Sequence, residues 1–328
     1  MAVETFPRSP QRSVLDRAFD LSRVNLEVVA YVVVVFLSVI AHLWGLGNMA
    51  MHHDEAIHAW TSWRFYTGSG DFLCANGGRS ATYCYDPVYH GPSLYVFSLL
   101  SYFLFGDGDF QARLPMALAG IGMVASSWML RPYLGRRGAL IAAVLLGFSP
   151  SLLYFTRFAR HDGLMVLWEL WMVIGIFRFI DTGRARYLYL LAASLALAIA
   201  THELYYILFF IFGIFMLVRL IVELGFQKQL NRGLLILIGV GAVIVLLGRQ
   251  VDLALPVGEG LHLGEKAFLV AAALLLAWLS MRVWDPRPVV IPRFKALWQE
   301  DRATLWIALG ILGGIYLVLY STFFAYPR

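Results

Sequence analysis

Three short runs of ionisable residues hold the groups with which this chain could do chemistry. They are His52-His53-Asp54-Glu55, Arg157-Phe158-Ala159-Arg160-His161-Asp162 and Thr201-His202-Glu203. Each run abuts a long apolar segment, where a charge is costly unless it faces water, a substrate or a metal. A carboxylate within hydrogen-bond reach of a hydroxyl can take its proton as the oxygen attacks. Guanidinium groups such as those of Arg157 and Arg160 pair with phosphate in a bidentate manner. Imidazoles beside carboxylates suit a divalent ion, so Asp54, Asp162 and His161 are candidate metal ligands, with His52 and His53 close by in sequence. Each residue also has a plainer reading. Glu55 can be an acid favoured at a helix N-terminus, Asp162 a helix N-cap, and the arginines headgroup contacts at the membrane interface.

The elements that must position these residues are read from composition. Of 328 residues, 60% are hydrophobic and only 14% charged, which excludes a soluble domain and makes the bilayer the solvent. The net charge of +5 does not point to nucleic acid, because the basic residues fall between apolar segments and form no polar surface. Apolar segments of spanning length run over 27–46, 113–130, 138–156, 163–180, 187–201, 204–221, 233–249, 267–283 and 304–320. The expected fold is therefore all-α, a polytopic integral membrane protein of about nine transmembrane helices. Residues 1–26 read as a polar cytoplasmic segment, and the first apolar segment as an uncleaved span. Residues 27–328 then form one transmembrane domain with a large first external loop, 47–112.

Pro92–Phe105 is about 14 residues long, short for a span, and reads as a juxtamembrane helix within that loop. Charge supports this. With nine spans and a cytoplasmic N-terminus, 18 of the 26 basic residues lie inside, whereas a tenth span would put most of them outside. The same topology brings Asp54, Glu55, His90, Arg157, Arg160, His161, Asp162, His202 and Glu203 to the external face, where they can line one site. Cys74 and Cys84 both fall in the first external loop, with Asn76-Gly77-Gly78 between them to turn the chain, and a disulfide is favoured over two free thiols.

Order and spacing carry a resemblance. After Asp54-Glu55 come His90-Gly91-Pro92-Ser93-Leu94-Tyr95, Leu104-Phe105-Gly106, Ala112-Arg113-Leu114-Pro115, Phe148-Ser149-Pro150, Arg157–Asp162 and Thr201-His202-Glu203. Over roughly residues 27–220 this resembles the GT-C superfamily of polytopic glycosyltransferases, which includes the protein mannosyltransferases and the lipid A aminoarabinose transferases. Within it the likeness is to bacterial and archaeal flippase-associated, dolichyl-phosphate-mannose-transferase-like membrane proteins.

The resemblance implies a polyprenyl-phosphate sugar as donor, membrane lipid around it, and transfer at the external face of the cell (plasma) membrane. It places the proposed base or acceptor-orienting acid at Asp54, with Glu55 completing the pair and Asp162 at the second acidic position. His90, Arg157, Arg160, His161, His202 and Glu203 become candidate substrate-binding residues. A divalent metal ion is the one cofactor implied, and some branches of the family work without it. His202-Glu203 stands where relatives often carry Lys-Glu, so no lysine reaches a phosphate from that position. Members generally continue beyond nine spans. The alternative to a transferase is therefore a non-catalytic GT-C-derived subunit of a larger membrane protein complex, or a flippase-accessory protein.

Overall fold

A computed structural model describes residues 25–68, 72–73, 79–80, 90–224, 239, 275 and 288–321. Among them the fold is all-α, apart from a two-residue antiparallel pairing of Phe72–Leu73 with Arg79–Ser80. The chain divides into two compact units, which contain the described residues 25–68 with 97–167 and 90–96 with 168–321.

In the first unit, α1 (Leu26–Leu43) opens on Asn25, whose side chain accepts from the Glu27 N–H at 3.0 Å. Large apolar side chains such as Val32 and Phe36 stay exposed along α1, as expected where lipid is the solvent. The helix packs against α4 (Asp109–Ser126) and α5 (Arg131–Phe148). Small residues make that approach close: Ala139 and Ala143 are fully buried with Tyr31 and Val124. A Cβ on Gly147 would lie 3.0 Å from Val124. Close packing of small residues is how helices associate when lipid removes the hydrophobic drive.

The 40-residue helical stretch Asp109–Phe148 is broken at Gly135, whose φ of 70° is reached at low cost only by glycine. The break falls between the expected spans 113–130 and 138–156. After it, Ser149-Pro150 starts the short α6 (Pro150–Phe155), with proline in the first helical turn where no donor is missed.

The segment expected as the first external loop contains two described helices, α2 (His53–Thr67) and α3 (Ser93–Phe105). Ala59 of α2 packs with Tyr102 of α3 and Ala112 of α4, and the Trp63 indole donates to Asp107 at 2.7 Å. Expectations about Cys74 and Cys84 lie outside the described residues.

The second unit holds most of α7 (Asp162–Thr182), then α8 (Ala185–Ile199), α9 (Tyr205–Glu223), α10 (Val290–Gln299) and α11 (Arg302–Tyr320). Helix α11 packs along α8, and the Tyr320 hydroxyl donates to the Ile199 carbonyl at 3.1 Å. The Arg293 guanidinium caps the end of α7 by donating to the Ile180 and Asp181 carbonyls. Glu223 accepts from the Val290 and Ile291 N–H groups, both at 2.9 Å, and so caps α10.

Seven of the nine expected spans fall on described residues and all seven are helical, while 233–249 and 267–283 lie outside them. Among the described residues, five stretches are long and apolar enough to cross a membrane: α1, Asp109–Phe148, α7, α9 and α11.

Candidate active site

The N-terminus of α2 separates the two adjacent acids. His52 is the N-cap: its Nδ1 accepts from the Asp54 N–H at 3.3 Å, and its own N–H donates to Glu55 Oε2 at 3.1 Å. This reciprocal cap fixes Glu55 as the third helical residue and turns it into the protein. Successive helical side chains point about 100° apart, so Asp54 faces elsewhere. Glu55 is fully buried, whereas the Asp54 side chain is 42% exposed.

Four hydrogen bonds engage the Glu55 carboxylate. Oε1 accepts from Arg113 Nε at 2.8 Å and from the Ala159 N–H at 2.8 Å. Oε2 accepts from Arg113 Nη2 at 2.9 Å as well as from His52. Burial alone would push this carboxyl up. The Arg113 guanidinium and the two backbone donors outweigh it, and the group sits below the usual carboxylate range. Arg113 is 3% exposed, and its Nη1 also donates to the Leu46 and Met49 carbonyls at 2.9 and 3.0 Å. One guanidinium therefore ties the end of α1, the start of α2 and the start of α4 together. Arg113 belongs to the run Ala112-Arg113-Leu114-Pro115 that carries the resemblance, but motif reading assigned it no role in the site. The available signal was an arginine at the head of an apolar segment, downstream of an unpaired acid.

Asp54 is left with a different neighbour. Arg160 Nη1 lies 3.4 Å from Asp54 Oδ2, and Arg160 Nε lies 3.5 Å from Asp162 Oδ2. One guanidinium therefore bridges the two half-exposed carboxylates, and Asp162 is the first residue of α7. His161 is buried with its ring edge-on to His58 at 4.9 Å. Arg157 donates to the Ala41 and Trp44 carbonyls and so caps the C-terminal end of α1. A cavity of about 280 Å³ opens beside this group, lined by Glu55, Arg113 and Arg157 together with Leu153, Tyr154 and Phe158. The first unit thus brings together Asp54, Glu55, Arg157, Arg160, His161 and Asp162.

His90, His202 and Glu203 meet in the second unit. His90 Nδ1 and Glu203 Oε2 are 2.6 Å apart, His202 Nδ1 is 3.6 Å from the same oxygen, and the two imidazole rings stack at 4.0 Å. The backbone brings them together. The Gly91 N–H donates to the Thr201 carbonyl at 3.1 Å, and the Ser93 N–H to the Ala200 carbonyl at 2.9 Å. Thr201 is held in turn by the Trp168 indole, which donates to its hydroxyl at 3.1 Å.

Residues 89–248, just under half of the chain, match the family model described as Dolichyl-phosphate-mannose-protein mannosyltransferase. The matched stretch begins next to His90 and includes Arg113, Arg157–Asp162 and His202-Glu203. Asp54 and Glu55 precede it. No curated protein and no solved structure gives a significant match. Over that stretch, and with its all-α, multi-pass architecture, the chain is similar to this family of GT-C-type glycosyltransferases.

Proposed function

We propose that this protein transfers a sugar from a polyprenyl-phosphate-linked donor to an acceptor hydroxyl at the external face of the cell membrane, with Asp54 as the base. The acceptor oxygen bonds to the anomeric carbon as the bond from that carbon to the phosphate oxygen breaks. The hydroxyl proton passes to the Asp54 carboxylate, and the polyprenyl phosphate departs with the bonding electron pair.

The observation that carries this reading is the division of labour within the acidic pair. Glu55 has both oxygens engaged and no exposure, so it can accept no substrate proton without breaking a buried ion pair. Asp54 is accessible, and Arg160 sits against both Asp54 and Asp162. A guanidinium there offers donors to a phosphate that gains charge as it leaves. Glu55 acts as a positioning residue that holds α2 so that Asp54 faces outward.

Charge placement in the first unit supports an orientation. At one end of α1, Glu27 pairs with Arg131 at 2.7 Å and approaches Arg136 at 3.6 Å. Arg157 closes the other end, and the loop that follows it leads to Asp54. Eighteen helical residues separate the two ends by about 27 Å. The basic end is assigned to the cytoplasm and the Asp54 end to the external side.

The direct test offers purified protein in lipid nanodiscs a panel of polyprenyl-phosphate sugars, with transfer or hydrolysis followed by release of polyprenyl phosphate. Donor-dependent release supports the proposal. A chain that releases none from any donor, yet is required for the yield of a host complex, would be the non-catalytic subunit instead.

A further inference from the structure

We infer that His90, His202 and Glu203 form a binding site for a first-row divalent transition metal, with Zn2+ the ion that best fits the donor set. Two imidazoles and one carboxylate converge, with ligand-capable atoms all within 4.8 Å of one another. Zn2+ bonds of about 2.0–2.2 Å in a tetrahedral arrangement place ligand atoms roughly 3.3–3.5 Å apart. The observed separations from Glu203 Oε2, 2.6 Å to His90 and 3.6 Å to His202, straddle that spacing. The ion enters by small side-chain movements, with no change of backbone. Among the described residues no other group of three such side chains converges in this way.

The backbone is built around the cluster. His90 has φ of 61°, the one positive value outside glycine among the described residues. A histidine pays more than glycine or asparagine to sit in the left-handed region, so its presence calls for a use of the ring. At the next residue a Cβ on Gly91 would lie 2.2 Å from the Ala200 carbonyl oxygen. Only glycine allows the 90–93 segment to approach 200–201 closely enough for the two hydrogen bonds that deliver His90 to His202 and Glu203.

The donor chemistry also fits. His202 Nδ1 accepts from the Leu204 N–H at 3.1 Å, so it carries a lone pair and no proton, as a ligating nitrogen must. The three side chains are between 24% and 34% exposed, so an ion can enter and at least one coordination position stays open to an oxygen donor. Three protein ligands with an open position mark an exchangeable site, not a closed structural one.

The inference does not depend on the transfer reaction, because its test reads metal and not sugar. The full chain, purified and dialysed against a chelator, is titrated with Zn2+ at neutral pH, and bound metal is counted after desalting. The expected result is about one Zn2+ per chain. Affinity should fall by about 100-fold or more in His202→Ala and in Glu203→Gln, and stay at the wild-type value in His161→Ala. X-ray absorption of the zinc-loaded wild-type protein, which needs no variant to fold, should show two imidazole ligands. Absence of retained Zn2+, wild-type affinity in a correctly folded His202→Ala or Glu203→Gln, or a spectrum with fewer than two imidazoles would each overturn the assignment.

Discussion

Glu55 and Arg113, 58 residues apart in the chain, form a two-pronged ion pair at 2.8 and 2.9 Å with both side chains buried. The pair joins the helix that presents Asp54 to the second turn of α4, part of a stretch long and apolar enough to cross a membrane. A buried pair of this kind is weak evidence of net stability, but breaking it from one side strands a charge.

Glu55→Gln should therefore destabilise the protein by about 3–5 kcal/mol, because the Arg113 guanidinium loses its counter-charge while staying buried. Denaturant titration of wild type and variant in the same detergent measures the difference. An unchanged unfolding midpoint would mean that the pair does not hold α2.

The same pair sets a pH dependence. The folded-state Glu55 carboxyl lies below its ordinary value of 4.5, with burial opposed and outweighed by Arg113, Ala159 and His52. Its contribution is thus complete above about pH 4.5 and is lost as the pH falls through the lower, folded-state value. The gap in stability between wild type and Glu55→Gln should be constant near neutrality and narrow on acidification below that point. A gap that stays constant down to pH 3 would remove Glu55 as its source.

Much of the membrane architecture was legible because apolar runs of spanning length are a one-dimensional signal, and α1, α7, α9 and α11 follow it within a few residues. The break at Gly135 was marked only by the polar Arg136-Arg137 between two apolar runs. Asp54-Glu55 stood out because paired acids beside a span are rare. The division between them was not legible. It depends on Arg113 and on the Ala159 N–H, partners 58 and 104 residues away that no local period reports. Likewise His90 and Glu203 were each singled out as candidates, but their meeting across 113 residues rests on the close approach of Gly91 to Ala200, a tertiary event.

Topology is checked by single-cysteine labelling in intact cells, in a background where Cys74 and Cys84 are replaced. A cysteine at Arg136 should resist a membrane-impermeant maleimide, and one at Asp109 should react. Reaction at Arg136 from outside would invert the assignment of the Glu27–Arg131 end of α1 to the cytoplasm.

The most direct measurement is sugar release by Asp54→Asn, made beside Glu55→Gln at equal amounts of folded protein. Asparagine preserves size and most hydrogen bonds but removes the basic lone pair. General-base assistance is typically worth about 10²–10⁴-fold, so turnover should fall by that factor while the unfolding midpoint stays at the wild-type value. Glu55→Gln should show the reverse balance, with a lowered midpoint and, in the molecules that remain folded, a smaller loss of turnover. Wild-type turnover in a correctly folded Asp54→Asn would contradict the account, because the acid that the fold presents outward would then take no part in the reaction.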